Sequence, residues 1–191
     1  MPLWGMVVCR RLPITTTIFQ KLLTSGVKYD IIGVLKQKEY KTMEKAIYFD
    51  MDGTIADLYA VSGWLEMLRA YDETPYEQAQ VMLNMAQLAR ALNKLKAQGY
   101  VIGIVSWLSK CPTAEYDKKV IKAKRKWLKK HLASVNFDEI VIVAHGTPKS
   151  QVVQYNGGIL FDDEQANRNE WQGQAYQPQQ ILEILKSLLK E

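Results

Sequence analysis

The chain has 191 residues, of which 48% are hydrophobic and 24% are charged, a composition typical of one globular domain with a sizeable core. Its formal net charge of +5 lies in residues 1–42, which hold seven Lys and Arg residues and two acids. Residues 43–191 hold 18 Lys and Arg residues and 18 acids, so the basic excess does not indicate a nucleic-acid-binding core. The chain contains no run of about 18 apolar residues, so the sequence predicts no membrane span. The two cysteines show neither CxxC nor metal-site spacing, which favours a reduced, cytoplasmic chain.

Residues 1–42 differ from the rest of the chain because they lack a sustained helical or strand period. Their first apolar stretch precedes an arginine pair, which is the reverse of the order in a secretory signal. We interpret this segment as a basic extension that is dispensable for folding and chemistry. A transit peptide, a tether to an anionic surface, and sequence upstream of a natural start at Met43 remain alternatives.

Strand and helix patterns alternate from Ala46 to the end of the chain. This alternation predicts an α/β fold with a Rossmann-like parallel sheet and helices on both faces. Short apolar runs predict strands at residues 46–50, 100–106, 140–144 and 158–161. Apolar residues recurring at three- and four-residue steps predict helices at residues 78–98, 114–132 and 178–190.

Polar residues stand at or after the ends of these predicted strands. Because the carboxyl ends of parallel strands meet at one edge of a sheet, we expect their side chains to lie close together. They are Asp50 and Asp52 in "IYFDMDGTIADL", then Ser106, Lys149, and the pair Asp162 and Asp163.

This set of residues indicates a magnesium and phosphate site. Clustered carboxylates repel one another unless a cation shares them, and oxygen ligands without Cys or His favour Mg²⁺. A lysine and a hydroxyl can bind phosphate oxygens, and a carboxylate can act as a nucleophile towards phosphorus. Lys110 competes with Lys149 for the phosphate-binding role; we favour Lys149 because it precedes the fourth strand.

The motifs "DMDGT", Ser106, Lys149 and "DD" at 162–163 resemble the four motifs of the haloacid dehalogenase (HAD) phosphohydrolase superfamily, over residues 45–190. The continuation "DMDGTIAD" and the helix "KAKRKWLKKHL" more closely resemble the 5'(3')-deoxyribonucleotidase family. This resemblance implies a HAD-like fold in residues 43–191, with a small helical cap within about residues 55–85. The cap should include a helix near residues 62–70.

The resemblance also implies a role for each motif residue. Asp50 would be the nucleophile and a Mg²⁺ ligand. Asp52 would be the general acid and base, and its backbone carbonyl would also bind Mg²⁺. Ser106 and Lys149 would bind the transferring phosphoryl group, and Asp162 and Asp163 would complete the metal site.

We therefore expect a Mg²⁺-dependent phosphomonoester hydrolase that works through an aspartyl-phosphate. The expected substrate is small and phosphorylated, and a (deoxy)nucleoside 5'-monophosphate is the leading candidate, so that the chain would be a 5'-nucleotidase. Aromatic side chains near the motifs could stack on a base: Tyr59, Trp64, Tyr71 and Trp107.

Two other functions remain open at this stage. One is a phosphatase of nucleic-acid 3'- or 5'-ends that binds the strand with residues 118–130, which contain eight Lys and Arg residues. Such a run is more often a solvated helix face. The other is a non-catalytic binding module with the same fold. Asp57 could cap a helix or contact substrate, whereas neither His131 nor His145 has the spacing of a catalytic residue.

Overall fold

The fold is described from a computed structural model of residues 45–110 and 112–190, so the expectations for residues 1–42 and Met43 lie outside the described residues. The main sheet has five strands, all parallel, in the order β5-β4-β1-β6-β7. This arrangement confirms the predicted α/β fold with a parallel sheet. The strands are β1 (Ala46–Phe49), β4 (Val101–Trp107), β5 (Glu139–Val143), β6 (Ile159–Phe161) and β7 (Gln174–Tyr176), and a separate pair is formed by β2 (Ala56–Asp57) and β3 (Gln80–Val81).

Strand β1 is central and buried on both faces, which explains its uninterrupted apolar sequence. Ile47 and Phe49 pack into one hydrophobic cluster, whereas Ala46 and Tyr48 pack into another on the opposite face. The first cluster is covered by three helices, and the second by Val153 and by Trp171, which follows a short helix. The helices of the described residues are α1 (Trp64–Arg69), α2 (Thr74–Gln78), α3 (Met85–Ala97), α4 (Ala114–His131), α5 (Gln165–Glu170) and α6 (Ile181–Leu188), with 3₁₀ turns at Lys149–Gln151 and Pro178–Gln180.

The predicted helix at residues 78–98 was wrong at its start, because α3 begins only at Met85. Asn84 has an extended backbone and its side chain accepts a hydrogen bond from Gln87 N, so it caps the helix there. Residues Gln80–Val81 form β3 instead. The predicted closing helix at 178–190 begins as a 3₁₀ turn before continuing as α6.

Residues 56–81 form a small unit, which we call the cap segment, that packs against α4. Its ends pair as the antiparallel strands β2 and β3, and α1 and α2 lie between them. The expected helix near 62–70 corresponds to α1, whereas α2 and the strand pair were not predicted. The cap segment rests on α4, since the Trp127 indole donates to the Ala79 carbonyl at 2.7 Å and the Tyr116 hydroxyl donates to the Asp72 carbonyl at 3.0 Å.

The order of the strands creates a crevice at the carboxyl end of β1. The chain adds β4 and β5 on one side of β1 and then returns to add β6 and β7 on the other. In open α/β sheets, ligands bind where the chain reverses direction in this way. Within the described residues, no helix is long and apolar enough to cross a membrane.

Candidate active site

A tight loop follows β1 and carries the first two acids. The Met51 carbonyl accepts hydrogen bonds from the amides of Thr54, Ile55 and Ala56, at 2.9 to 3.2 Å. Gly53 has a φ of 74°, and a Cβ added there would collide with the Asp163 carboxylate. Glycine is therefore needed at this position both for its backbone conformation and for space.

Lys149 lies between two carboxylates at this edge of the sheet. Its Nζ is 2.8 Å from Asp50 Oδ1 and 2.6 Å from Asp162 Oδ2, and the side chain is 3% exposed. Burial alone would lower the pKa of Lys149, but Asp50 and Asp162 together raise it, so the ammonium form is stabilised. Lys110, the alternative, is exposed. The geometry thus places Lys149, and not Lys110, among the acids.

The Lys149 segment is held in place by Trp107 at the end of β4. The Trp107 indole donates a 2.8 Å hydrogen bond to the Thr147 carbonyl. The Lys149 ammonium also lies 5.0 Å from the centre of the Trp107 ring, within the range of a cation–π contact. Trp107 therefore contacts the Lys149 ammonium and also holds the segment that precedes this lysine.

Three of the predicted acids could share a metal ion. Asp50, Asp162 and Asp163 each offer an oxygen within 4.8 Å of the others. These hard oxygen donors suit Mg²⁺, and no Cys or His belongs to the group. The carboxylate of Asp52 lies outside this group, so only its backbone carbonyl remains as the expected ligand from that residue. The donor set therefore fits a magnesium ion.

Asp162 and Asp163 have different surroundings. Asp162 is fully buried and accepts hydrogen bonds from Lys149, Asn167 and the amide of Glu164. Asp163 is only partly buried, and burial followed by the charges of Asp50 and Asp162 raises its pKa to about 7. A carboxyl group whose negative charge is this poorly compensated is the one that a cation would stabilise most.

A second buried lysine completes the site and was not predicted. Lys124 on α4 has no exposed surface, and its Nζ donates to Asp52 Oδ2 at 2.6 Å. It also donates to Ser106 Oγ and to the Trp107 carbonyl, both at 2.8 Å. Burial raises the pKa of Asp52 above its ordinary value, while the Lys124 ammonium opposes that shift.

The sequence contained a signal for Lys124 that the basic run obscured. Lys124 lies four residues after Val120 and three before Trp127, on the face of α4 that these buried residues mark. The other seven Lys and Arg residues of positions 118–130 are exposed, as expected for a solvated face. The interpretation of the whole run as a solvated face was therefore wrong for Lys124 alone.

The four aromatic residues do not form one continuous surface. Tyr59 stacks edge-on against Trp64 with ring centres 5.1 Å apart, and Tyr71 packs against Tyr116. Trp107 packs beside His145. Tyr59 lies close to the acids, because its ring lies against Gly53 and the pKa of its phenol is raised by burial and then by Asp163 and Asp52.

The remaining sequence candidates lie in ordinary structural positions. Asp57 accepts a hydrogen bond from the Ala60 amide at 3.2 Å, which is a local turn contact. The ring of His131 packs on Trp127, and the ring of His145 packs on Trp107. Burial lowers the pKa of both histidines.

No family model matches the chain, and no curated protein sequence matches it. Among solved structures, its fold is similar to that of the D,D-heptose 1,7-bisphosphate phosphatase from Burkholderia thailandensis, with a TM-score of 0.50 and 11% sequence identity. This similarity covers 78% of the present chain and 100% of the other. At this level of identity the likeness concerns the fold alone, and it agrees with the predicted α/β fold.

Proposed function

We propose that this chain is a Mg²⁺-dependent phosphomonoester hydrolase that works through an aspartyl-phosphate on Asp50. The observation that carries the proposal is the convergence of four separate chain segments on one sheet edge. There, Asp50 lies beside Lys149 and Asp163, and Asp52 is linked to Ser106 through Lys124. The phosphatase with a similar fold supports the same reaction class.

The metal would be held by the side chains of Asp50 and Asp163 and by the backbone carbonyl of Asp52. Asp162, with its oxygens already hydrogen-bonded, would orient Lys149 and contribute mainly charge. When bound, Mg²⁺ supplies positive charge that stabilises the equatorial oxygens of the transferring phosphoryl group.

The two first-motif acids would divide the reaction between them. A carboxylate oxygen of Asp50 forms a bond to phosphorus as the bond from phosphorus to the leaving oxygen breaks. Asp52 gives its proton to that leaving oxygen. Asp52 then accepts a proton from a water molecule, whose oxygen attacks phosphorus and releases inorganic phosphate and the free Asp50 carboxylate.

Lys149 and Ser106 would bind the phosphoryl oxygens during both steps. The two carboxylates beside Lys149 occupy two of the three protons on its ammonium, which leaves one for the substrate. Ser106 is buried near the end of β4, a strand that pairs with β1 on the side opposite to β6. Together these groups would position the phosphoryl group in front of Asp50.

A (deoxy)nucleoside 5'-monophosphate is the substrate we propose. Tyr59 is 46% exposed, lies beside the acids and is backed by Trp64, so the pair offers an aromatic face at the mouth of the site. Such a face can stack on a nucleobase. The resemblance of "DMDGTIAD" to deoxyribonucleotidases supports the same substrate class.

The reaction class is tested with purified protein, Mg²⁺ and an aryl phosphate. Asp50→Asn should reduce phosphate release to background, because an amide cannot serve as the nucleophile. Asp117→Asn, the same change outside the site on α4, should retain full activity. Full activity of Asp50→Asn, with its fold checked by circular dichroism, would contradict the proposal.

The substrate class is tested separately by comparing nucleoside 5'-monophosphates with phosphorylated oligonucleotides at several salt concentrations. A mononucleotide substrate predicts little change with salt. Preference for the oligonucleotide, with activity that falls steeply as salt rises, would instead favour strand binding by the seven exposed basic residues of positions 118–130. A sugar phosphate as the best substrate would contradict the nucleotide assignment while leaving the reaction class intact.

A further inference from the structure

We infer that Lys124 is a positioning residue that determines which atoms of Asp52 and Ser106 face the substrate. This inference rests on the proposed phosphatase function. The residue lies outside the four sequence motifs and comes from the middle of α4. Its role follows from how its three protons are used.

The three protons of the Lys124 ammonium match its three acceptors. They are directed to Asp52 Oδ2, Ser106 Oγ and the Trp107 carbonyl, at 2.6, 2.8 and 2.8 Å. A lysine ammonium has three donors and no acceptor, so none remains for a phosphate oxygen. Lys124 therefore acts through its neighbours, in contrast to Lys149.

The contact with Asp52 distinguishes the two oxygens of that carboxyl group. Oδ2 accepts from a buried ammonium, which strongly disfavours a proton on the same oxygen. Any proton that Asp52 carries must therefore reside on Oδ1. Lys124 thus presents Oδ1 as the atom that donates a proton to the leaving oxygen and later accepts one from water.

The contact with Ser106 fixes the direction of its hydroxyl proton. Because Lys124 can only donate, Ser106 Oγ must be the acceptor in this hydrogen bond. The Ser106 proton is then directed away from Lys124 and is free to donate to a phosphoryl oxygen. One ammonium group therefore orders a proton-transfer group and a phosphate-binding group at the same time.

The cap segment keeps this lysine away from water. The Lys124 ammonium lies 4.9 Å from the ring centre of Tyr76, which belongs to α2 and is itself buried. Three hydrogen bonds and a ring contact offset part of the cost of burying a charge. A lysine held this firmly keeps its neighbours in one geometry through the catalytic cycle.

The test compares Lys124→Met with Lys122→Met, an exposed lysine two residues away on the same helix. Two substrates are used: an aryl phosphate with a good leaving group and a nucleoside 5'-monophosphate with a poor one. We expect Lys124→Met to lower kcat on the nucleotide by about 10²-fold, since proton transfer contributes about 10²–10⁴-fold. On the aryl phosphate, whose leaving group needs no proton, the loss should be below about tenfold.

A second variant separates positioning from charge. Lys124→Gln, whose amide can donate two hydrogen bonds, should recover part of the loss on the nucleotide. If Lys124→Met does not fold, the comparison of the two substrates is made with Lys124→Gln. Failure of both variants to fold would show that Lys124 is needed for the structure and would overturn the inference.

Equal losses of kcat on the two substrates, or full activity of Lys124→Met on both, would also overturn the inference about Lys124. These outcomes differ from a failure of the proposed function, in which the unmodified chain would hydrolyse neither substrate and Asp50→Asn would change nothing. If the unmodified chain is active and Asp50→Asn is not, only the Lys124 assignment is at stake.

Discussion

Two neighbouring aspartates at the end of β6 show how position separates residues of one type. The Asp162 side chain is enclosed by donors from Lys149, Asn167 and the Glu164 amide. The Asp163 backbone is held on both sides, because its amide donates to Thr54 Oγ1 at 3.1 Å and its carbonyl accepts from the Arg168 guanidinium at 2.7 Å. We therefore expect Asp162 to contribute mainly to stability and Asp163 mainly to metal binding.

Replacing each acid by asparagine should separate these roles. Asp162→Asn should lower the free energy of unfolding by about 1–3 kcal/mol, because it disturbs a buried hydrogen-bond network. Asp163→Asn should leave the metal-free protein at least as stable, because it removes a poorly compensated charge. It should also abolish stabilisation by Mg²⁺. Urea unfolding of both variants, with and without Mg²⁺, measures this; a full Mg²⁺ response in Asp163→Asn would contradict it.

The raised pKa of Asp163 predicts a pH dependence of metal binding. Without metal, the folded chain holds a proton on Asp163 up to about pH 7, whereas the unfolded chain loses it near its ordinary value of 3.8. Folded stability from this group is therefore greatest at low pH and is lost as the pH rises through about 7.

Mg²⁺ must displace that proton, so the rise in Tm caused by Mg²⁺ should be small at pH 5.5 and larger at pH 8. Thermal unfolding at fixed Mg²⁺ concentration across this range measures the effect. Asp163→Asn provides the control, since it has no proton to lose at this position. A Mg²⁺ effect that is independent of pH in the unmodified chain would contradict the prediction.

At the scale of elements, helix α4 joins the site to the cap segment. Its buried face carries Lys124, which contacts Asp52, and Trp127, which hydrogen-bonds the Ala79 carbonyl of the cap segment. Val120 and Ala123 of the same face share a hydrophobic cluster with Leu58 and Tyr76 of the cap segment. The cap segment and Asp52 thus both contact one helix.

Trp127→Phe should therefore weaken both stability and substrate binding. Loss of the indole donor leaves the Ala79 carbonyl buried without that partner, at a cost of about 1–3 kcal/mol. A loosened cap segment should also raise KM for the nucleotide. Trp171→Phe is the matched control, because its indole donates to the Gly158 carbonyl, away from the cap segment.

We expect Trp171→Phe to lose comparable stability in urea unfolding but to keep the KM of the unmodified chain. Equal KM values for the two tryptophan variants would show that the contact between Trp127 and Ala79 does not control substrate binding.

At the scale of the molecule, the positive charge is concentrated outside the described domain. Residues 1–42 hold a net charge of +5, and residues 43–191 are neutral. The strands and helices described here all begin at or after Ala46 and bury their own core. The described residues therefore contain their own core and the residues that would react.

A chain beginning at Met43 should fold and keep kcat and KM close to those of the full chain. Its affinity for cation-exchange resin should fall, because the excess charge is removed. Circular dichroism and phosphate release measure the first expectation. Loss of folding or activity would show that residues 1–42 contribute to the domain.

The sequence by itself determined four of the five strands of the main sheet, its three longest helices, and the acids that follow β1 and β6; β7 and α5 were not predicted. Apolar runs ending in Asp50 and Asp162 were readable because a buried parallel strand must be apolar and its carboxyl end must emerge at the edge of the sheet. The start of α3 was predicted too early because the apolar period continues through residues 78–84. In the structure, part of that stretch pairs with β2 as strand β3 instead.

Only the tertiary structure showed that Lys149 and not Lys110 lies among the acids, gave Asp162 and Asp163 different surroundings, and brought Lys124 to Asp52 and Ser106. These assignments depend on contacts between residues far apart in the chain, such as the 72 positions that separate Asp52 and Lys124. Periodicity reports which face of a helix is buried. It does not report which carboxylate that face will meet, because that depends on how the helix packs over the sheet.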